Sequence, residues 1–347
     1  PMDAVVMIGG CDKTVPAQLM GAASAGLPAI QLITGSMLTG SHRSERVGAC
    51  TDCRRYWGKF RAGEIDAIEK DEVNEQLVAS VGTCSVMGTA STMACIAEAL
   101  GMTVPGGATP PAVTADRIRI AEETGACAVH MAKNGITIDK VLTADAFENA
   151  LRVLLAIGGS TNGIVHLAAI AGRMGLEIDL EALDAMGNET PVLVDLKPSG
   201  DHYMENFHDA GGMTTLLREL KPLLKLNAMT VTGRTLGEEI DGNLIDMVII
   251  PCLRVNREGF RLGQGGGSYD RALANMRAFR IGLIYTGEIT NEEMFVERFC
   301  ESAKDADLIL IADTGSTDKT VELAKQHGAV VYNICVSPWR FDKARDA

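Results

Sequence analysis

Short apolar runs alternate along the chain with Gly-, Ser- and Thr-rich turns, and with stretches whose apolar residues recur every three to four positions. Ala4–Ile8 reads as a buried strand ending at Gly9 and Gly10, since a continuous apolar run closed by glycine suits a strand covered on both faces. A helix is predicted over Val15–Ala25 and a second strand over Ala29–Ile33. Helical spacing also marks Ile65–Leu77, Thr92–Leu100, Ala115–Glu123 and Ala144–Ala156. Asp145 and Glu148 fall in the first turn of the last of these, where the helix dipole favours acidic groups. Strand followed by helix, repeated, predicts an α/β fold: a mainly parallel sheet with helices on both faces.

The pattern changes near Gly242. A new apolar strand over Leu244–Pro251 leads to a Gly-dense loop at Gly263–Gly267, and Ile281–Tyr285 reads as a further strand. A charged helix is predicted after Asn291. Leu308–Ile311 then forms a strand ending at Asp313, followed by a helix over Thr320–Gln326 and a strand over Val330–Tyr332. These are two short, incomplete α/β segments. The division expected is 1–242, 243–288 and 289–347.

Composition narrows the class. Hydrophobic residues make 46% of the 347 and charged residues 22%, enough for a sizeable core and against a disordered chain. The net charge of −13 argues against nucleic acid or an anionic membrane as partner. Thr14–His42 and Val153–Gly172 carry no Asp, Glu, Lys or Arg, but Gly, Pro, Ser, Thr and Asn interrupt both, and a span needs about 20 predominantly apolar residues. Nine cysteines, an odd number at irregular spacing, do not describe a secreted disulfide framework and point to a reduced cytoplasm. The first residue is Pro1, inside what reads as a strand, so a fragment or processed product is expected.

Cys11, Asp12 and Lys13 sit in GGCDKT just after the first strand, at the carboxyl edge where ligands collect in open α/β sheets. Cys84 lies in GTCSVMGTAST, another strand-to-helix loop. Thiolates suit iron–sulfur clusters and a carboxylate suits Mg²⁺; the same spacing also suits two buried structural cysteines. Cys50 and Cys53 form a CxxC pair read as core thiols, and Cys95, Cys127, His130 and His166 fall on apolar patterns and are expected to be core residues. Thr161 and Asn162 in GGSTN are read as turn-capping residues.

Residues 1–241 resemble the dehydratase family that contains dihydroxy-acid dehydratase and the sugar-acid (aldonate) dehydratases. GGCDKTVPAQLMGAASAGLP, GTCSVMGTASTMACIAEALGM, AIGGSTNGIVHLAAIA, DLKPSGDHYMENFHDAGG and TVTGRTLGE carry the resemblance, and CRRYWGKFRAGEI leans towards the aldonate branch. It implies dehydration of a 2,3-dihydroxy acid to a 2-keto-3-deoxy acid, with a 2Fe–2S or 4Fe–4S cluster and Mg²⁺. Cys11 and Cys84 would be two cluster ligands, and Asp12 with a carbamylated Lys13 would bind Mg²⁺. The resemblance also places one cluster cysteine and a Mg²⁺ ligand upstream of residue 1. The serine base belongs to a domain expected after Glu238, so the chain is expected to be catalytically incomplete. The family is oligomeric, so a homo-oligomer is the expected assembly and a small sugar acid the expected partner.

Residues 243–287 resemble 5-formyltetrahydrofolate cyclo-ligase through DMVIIPCLRVNREGFRLGQGGGSYDRALA and FRIGLIY. That resemblance places Arg261, Gly263, Gly265, Gly266 and Gly267 at a phosphate-binding loop; without it, a bare turn is the simpler reading. Residues 289–347 resemble the start of a family 2 glycosyltransferase through NEEMFVERF, DLILIADTGSTDKTVELAKQHGAVVY and PWRFDKARD, which would set Asp313 against a sugar nucleotide. Asp313, Ser316 and Thr317 would equally serve to cap the next helix. Three readings follow: an iron–sulfur hydro-lyase, a sugar-nucleotide transferase, and a non-catalytic mosaic of three family pieces.

Overall fold

The computed structural model describes residues 2–49 and 51–242, and beyond them the backbone of short strands between Met247 and Asn333. The chain divides into two compact units, Pro1–Asn243 and Leu244–Ala347.

The first unit begins with β1 (Val5–Gly9), α1 (Thr14–Ala25) and β2 (Ala29–Ile33). β1 and β2 pair in parallel, Val5 opposite Ala29 through Gly9 opposite Ile33. α1 ends where Gly26 takes φ 67° and donates its N–H to Ala22 O, a left-handed closure that glycine adopts without strain. Along β1 the faces alternate: Met7 and Gly9 are buried, while Val6 and Ile8 are 40% and 62% exposed. β2 is more enclosed. Buried Gln31 donates from Nε2 to Met7 O at 3.0 Å and to Gln18 Oε1 at 2.9 Å, and its backbone N–H bonds Met102 O on the other side.

A hairpin of β3 (Gly40–His42) and β4 (Glu45–Val47) follows, then α2 (Thr51–Ala62) and α3 (Ala67–Gln76). Val47, Tyr56, Val73 and Leu77 form a small core of their own under this lobe. α4 (Thr89–Ala99) is different in kind, with every residue from Ala90 to Ala99 buried. Its Ala, Ser, Thr and Cys side chains let neighbours approach closely, and it packs against α1, α7 (Ala144–Ala156) and α8 (Asn162–Arg173). Between α4 and α8 also lie α5 (Ala115–Asn134) and α6 (Ile138–Val141). After α8 come α9 (Leu180–Glu189), α10 (Met204–Asp209), α11 (Gly212–Leu220) and α12 (Leu236–Gly242).

The first unit is therefore α/β and rich in helix. The strands read over Ala29–Ile33 and Ala4–Ile8 and the helix over Ala144–Ala156 are present, the first and last with the same bounds. α5 runs eleven residues past Glu123, to Asn134, since its exposed polar face hides the period that its buried Thr124, Cys127 and Met131 continue. Most of the buried apolar side chains lie on helices, and the main core is centred on α4. Among the described residues of this unit the strand pairs are β1–β2 and β3–β4.

Two buried polar side chains fix the loop over residues 103–111 beside the end of β2. Glu98 of α4 accepts N–H bonds from Gly106 at 2.7 Å and Ala108 at 2.9 Å. Arg117 of α5 donates to Ile33 O at 2.7 Å, Gly107 O at 2.8 Å and Pro110 O at 2.5 Å. Gly35 meets the same loop. It has φ 90°, and a Cβ there would stand 2.5 Å from Pro110 O and 2.8 Å from Ala112 N, both backbone atoms. Gly35→Ala is expected to cost about 2 kcal/mol or more, from left-handed strain and the clash together. A urea melt showing an unchanged midpoint would contradict it.

In the second unit, β5 (Met247–Pro251), β6 (Arg254–Asn256), β7 (Arg261–Leu262), β8 (Phe279–Leu283), β9 (Ile289–Thr290), β10 (Leu310–Asp313) and β11 (Val330–Asn333) are described by their backbone. β5 pairs with β8 and β10 with β11, both in parallel, while β6 lies between antiparallel β7 and parallel β9. The helices predicted after Asn291 and over Thr320–Gln326 lie outside the described residues, as does the glycine loop.

Candidate active site

Two loops meet where the first parallel strands end. Gly9 O accepts the N–H of Thr34, and a Cβ on Gly10 would stand 1.9 Å from Thr34 Oγ1 and 2.9 Å from Thr83 Cγ2. Residues on either side of that contact are Cys11 and Cys84. Thr83 forms a parallel bridge with Ser36, donates its N–H to Gly35 O at 3.0 Å, and accepts Met37 N–H at 2.8 Å. The Cys84 loop is thereby held to the continuation of β2, beside the Cys11 loop.

Cys11 is exposed and Cys84 half-buried. The Cys11 carbonyl accepts the N–H groups of Thr14 and Val15, which starts α1. Asp12 Oδ2 lies 2.9 Å from Lys13 Nζ, and the Cys11 thiol lies 3.7 Å from Asp12 Oδ1. The hydrogen bond from Lys13 holds the Asp12 carboxyl below its usual range, against slight burial. Asp12 and Lys13 are 45% and 67% exposed, so their polar ends face outward at the strand edge. The donor set is thus two thiols from adjacent loops, an ionised carboxylate and a lysine. Soft sulfur next to hard oxygen is the chemistry that an iron–sulfur cluster beside Mg²⁺ requires. Among the described residues no group of three or more His, Cys, Asp or Glu converges to hold a metal alone.

The other described cysteines, Cys53, Cys95 and Cys127, pack into the two cores. Cys95 is fully buried, which pushes its thiol far up, and burial lifts Cys127 to about 11. Thiols held protonated in this way are inert. Cys53 packs against the lobe core of Val47, Tyr56, Val73 and Leu77. Its sequence neighbour Cys50 lies outside the described residues. Arg261 and Asp313 are placed by backbone only, at the start of β7 and the end of β10. Their side chains, and Gly263, Gly265, Gly266 and Gly267, lie outside the described residues.

Three expectations are corrected. His130 is not a core residue: it lies on the exposed face of α5 and meets Asn134. Thr161 makes no capping bond; its neighbour Ser160 accepts the Asn162 N–H at 3.3 Å, and Asn162 reaches Thr89 Oγ1 at 3.2 Å. His166 is half-buried, and its Nε2 is buried with no hydrogen-bond partner. Burial and then the charge of Lys13 lower its pKa, against a smaller pull from Asp12. A neutral imidazole on α8 therefore stands within electrostatic reach of the Asp12–Lys13 pair.

A second cluster escaped the sequence reading altogether. Asp52 of α2 is fully buried and accepts from Tyr203 OH at 2.6 Å, Gly48 N at 2.9 Å, Arg55 Nη2 at 3.0 Å and Lys197 Nζ at 3.1 Å. Burial alone would raise the Asp52 pKa, but these donors outweigh it and hold the carboxylate ionised. DLKPSGDHY was visible as a motif; its partner 145 residues earlier was not.

Residues 1–239 match the family described as dihydroxy-acid/6-phosphogluconate dehydratase, N-terminal, and residues 227–298 match the 5-formyltetrahydrofolate cyclo-ligase family. Over 256 residues the chain is 45% identical to a protein named L-arabinonate dehydratase from Rhizobium leguminosarum bv. trifolii, covering 73% of this chain and 44% of that one. It is 46% identical over 243 residues to L-arabonate dehydratase of Azospirillum brasilense, covering 69% and 42%. Against dihydroxy-acid dehydratase of Caldicellulosiruptor bescii it is 41% identical over 251 residues, covering 72% and 45%. The chain thus spans less than half the length of these relatives.

Proposed function

Since the chain belongs to the dihydroxy-acid/6-phosphogluconate dehydratase family through its N-terminal region, we propose that it serves a hydro-lyase acting on a sugar acid, with a pentonic acid such as L-arabinonate as substrate. The reaction removes the C2 proton and the C3 hydroxyl as water, and the resulting enol tautomerises to a 2-keto-3-deoxy acid. The observation that carries this reading is the meeting of the Cys11–Lys13 and Cys84 loops at adjacent strand ends. Relatives named for pentonate dehydration support the choice of acid.

Cys11 and Cys84 would hold an iron–sulfur cluster, and Asp12 with Lys13 would hold Mg²⁺. When bound, this metal centre supplies the Lewis acidity that draws off the C3 hydroxyl. Asp12 contributes a carboxylate kept ionised by its neighbour. Lys13 is exposed enough for its amine to take up CO₂, releasing a proton and gaining a carbamate oxygen for the metal. Among the described residues none is assigned to removing the C2 proton. The β1–β2 pair and the Ser36–Thr83 bridge would belong to a wider, mainly parallel sheet with helices on both faces.

We further propose the segment division 1–242, 243–288 and 289–347, with the cyclo-ligase match at 227–298 supporting the middle piece. Arg261 and its glycines would then hold phosphate, and Asp313, at the carboxyl end of parallel β10, would meet a sugar nucleotide. No helix among the described residues is long and apolar enough to cross a membrane. The proposed setting is the cytoplasm, with a small acid as partner and a homo-oligomer as assembly.

The test is iron and acid-labile sulfide per chain after anaerobic purification, with 2-keto-3-deoxy acid formation from L-arabinonate and Mg²⁺ assayed alongside. Cys11→Ser and Cys84→Ser are each expected to remove the iron and sulfide that the parent binds, and iron unchanged in both would overturn the assignment of Cys11 and Cys84. A folded, iron-free parent would mean that these two thiols alone do not assemble the cluster.

A further inference from the structure

The Asp52 cluster lies directly behind the Cys84 loop. Lys197 and Tyr203, two of the donors to Asp52, belong to the segment that closes on residues after Cys84. Met87 N–H bonds Lys197 O at 2.8 Å, and Met204 N–H bonds Ser85 O at 2.8 Å. Gly48, which donates to the same carboxylate, touches both sides: a Cβ there would stand 2.3 Å from Ser85 Oγ and 2.8 Å from Tyr203 Cε1. On the other flank, Thr83 is tied to Gly35 and Met37, and the Cys84 carbonyl accepts from Ser91 Oγ at 3.4 Å. The Cys84 backbone is therefore held between the end of the sheet and a segment whose own position depends on Asp52.

Tyr203 has one hydroxyl hydrogen and two acceptors within reach, Asp52 Oδ2 at 2.6 Å and Arg46 O at 2.9 Å. The shorter contact, to the ionised carboxylate, takes the hydrogen, and Lys197 Nζ donates to the hydroxyl oxygen at 2.8 Å. The surrounding cations are already matched: Arg55 Nη2 meets Glu45 at 2.7 Å, and Arg46 Nη2 meets Glu205 at 2.8 Å. The arrangement does not leave an open anion site, and Asp52 has no exposure through which to meet a substrate. Four donors converge on one carboxylate, and the segments of three of them, Gly48, Lys197 and Tyr203, meet the residues after Cys84, which is the pattern of a group that sets the geometry of another.

We propose that Asp52, acting through Tyr203 and Lys197, is a positioning residue for the Cys84 thiol. The inference rests on the dehydratase reading only in what the thiol is for; the mechanical link stands on the hydrogen bonds alone.

Tyr203→Phe and Asp52→Asn in the full chain test it. Iodoacetamide alkylation of the iron-free protein, followed site by site by mass spectrometry, compares Cys84 with Cys11 at a fixed interval below each variant's melting temperature. Tyr203→Phe removes one hydroxyl and keeps the ring. It is expected to speed Cys84 alkylation by about fivefold while Cys11 stays within about twofold of the parent. Asp52→Asn should shift the ratio in the same direction and further; if it does not fold, Tyr203→Phe alone decides. An unmoved ratio in folded Tyr203→Phe, or equal acceleration of both cysteines, overturns the proposal. The iron content of the parent separates the two readings. An iron-free parent whose Cys84 ratio still responds to Tyr203 leaves this proposal standing without the cluster; a loaded parent with an unmoved ratio overturns it and leaves the hydro-lyase reading in place.

Discussion

Cys11→Ser and Cys84→Ser are each expected to drop the iron and acid-labile sulfide that the parent binds to background, without unfolding the chain. Neither residue belongs to the apolar core, one being exposed and the other half-buried. A serine hydroxyl is nearly the same size but a poor ligand for iron–sulfur chemistry. Losing an outer-sphere partner of a metal site costs 10–100-fold, so losing a direct ligand should lower any L-arabinonate dehydration by more than about a hundredfold. Cys127→Ser is the control. Its buried thiol on α5 meets Val231 O, away from both the Cys84 loop and the lobe of Asp52, and the change should leave iron content alone. Retention of iron in Cys11→Ser, or its loss in Cys127→Ser, would move the centre elsewhere.

The chain should be more stable near pH 5.5 than near pH 8 by a margin that Glu98→Gln removes. Glu98 is 4% exposed, and burial raises it from 4.5 to about 7 despite its two N–H donors and the charge of Arg117. A carboxyl with a raised folded value binds its proton more tightly in the folded chain. Its contribution is fully present below pH 4.5, falls as pH rises through the interval, and is gone above about 7. The size follows from the shift, about 3 kcal/mol at most. His166, with its lowered value, works in the opposite sense over part of the same range, so the quantity to measure is the difference between parent and variant. Glu98→Gln cannot ionise, and its amide nitrogen cannot accept the backbone N–H that the second carboxyl oxygen takes. It should be less stable at low pH yet show a flatter slope between pH 5 and 8. Parallel melting-temperature profiles for the two proteins would rule out Glu98 as the source.

What could be read from the sequence was what is local. β2 and α7 announce themselves, one by an apolar run between Pro28 and Gly35, the other by the Thr143 cap and strict helical spacing. Cys11, Asp12 and Lys13 stood out because three chemistries sit in consecutive positions after a strand. The α4 core helix was recognised only in part: its Thr89, Ala90 and Ser91 read as loop, and only packing on every side makes small polar residues helical there. The Asp52 cluster left no trace, since α2 looks like an ordinary charged helix until residues 197–203 fold over it. The histidines differ from expectation for a related reason. An apolar neighbourhood in sequence does not say whether a ring nitrogen finds a partner, and His166 Nε2 finds none.

The lobe of β3, β4, α2 and α3 carries four buried residues in a core separate from the main one. So few apolar contacts define a unit whose release costs less free energy than melting of the whole domain. Asp52 sits on that lobe, while the segment it grips bonds to the Cys84 loop of the main body. Warming would loosen the lobe first, and the earliest chemical sign of heat damage would be a thiol changing its reactivity while the helical signal is still intact.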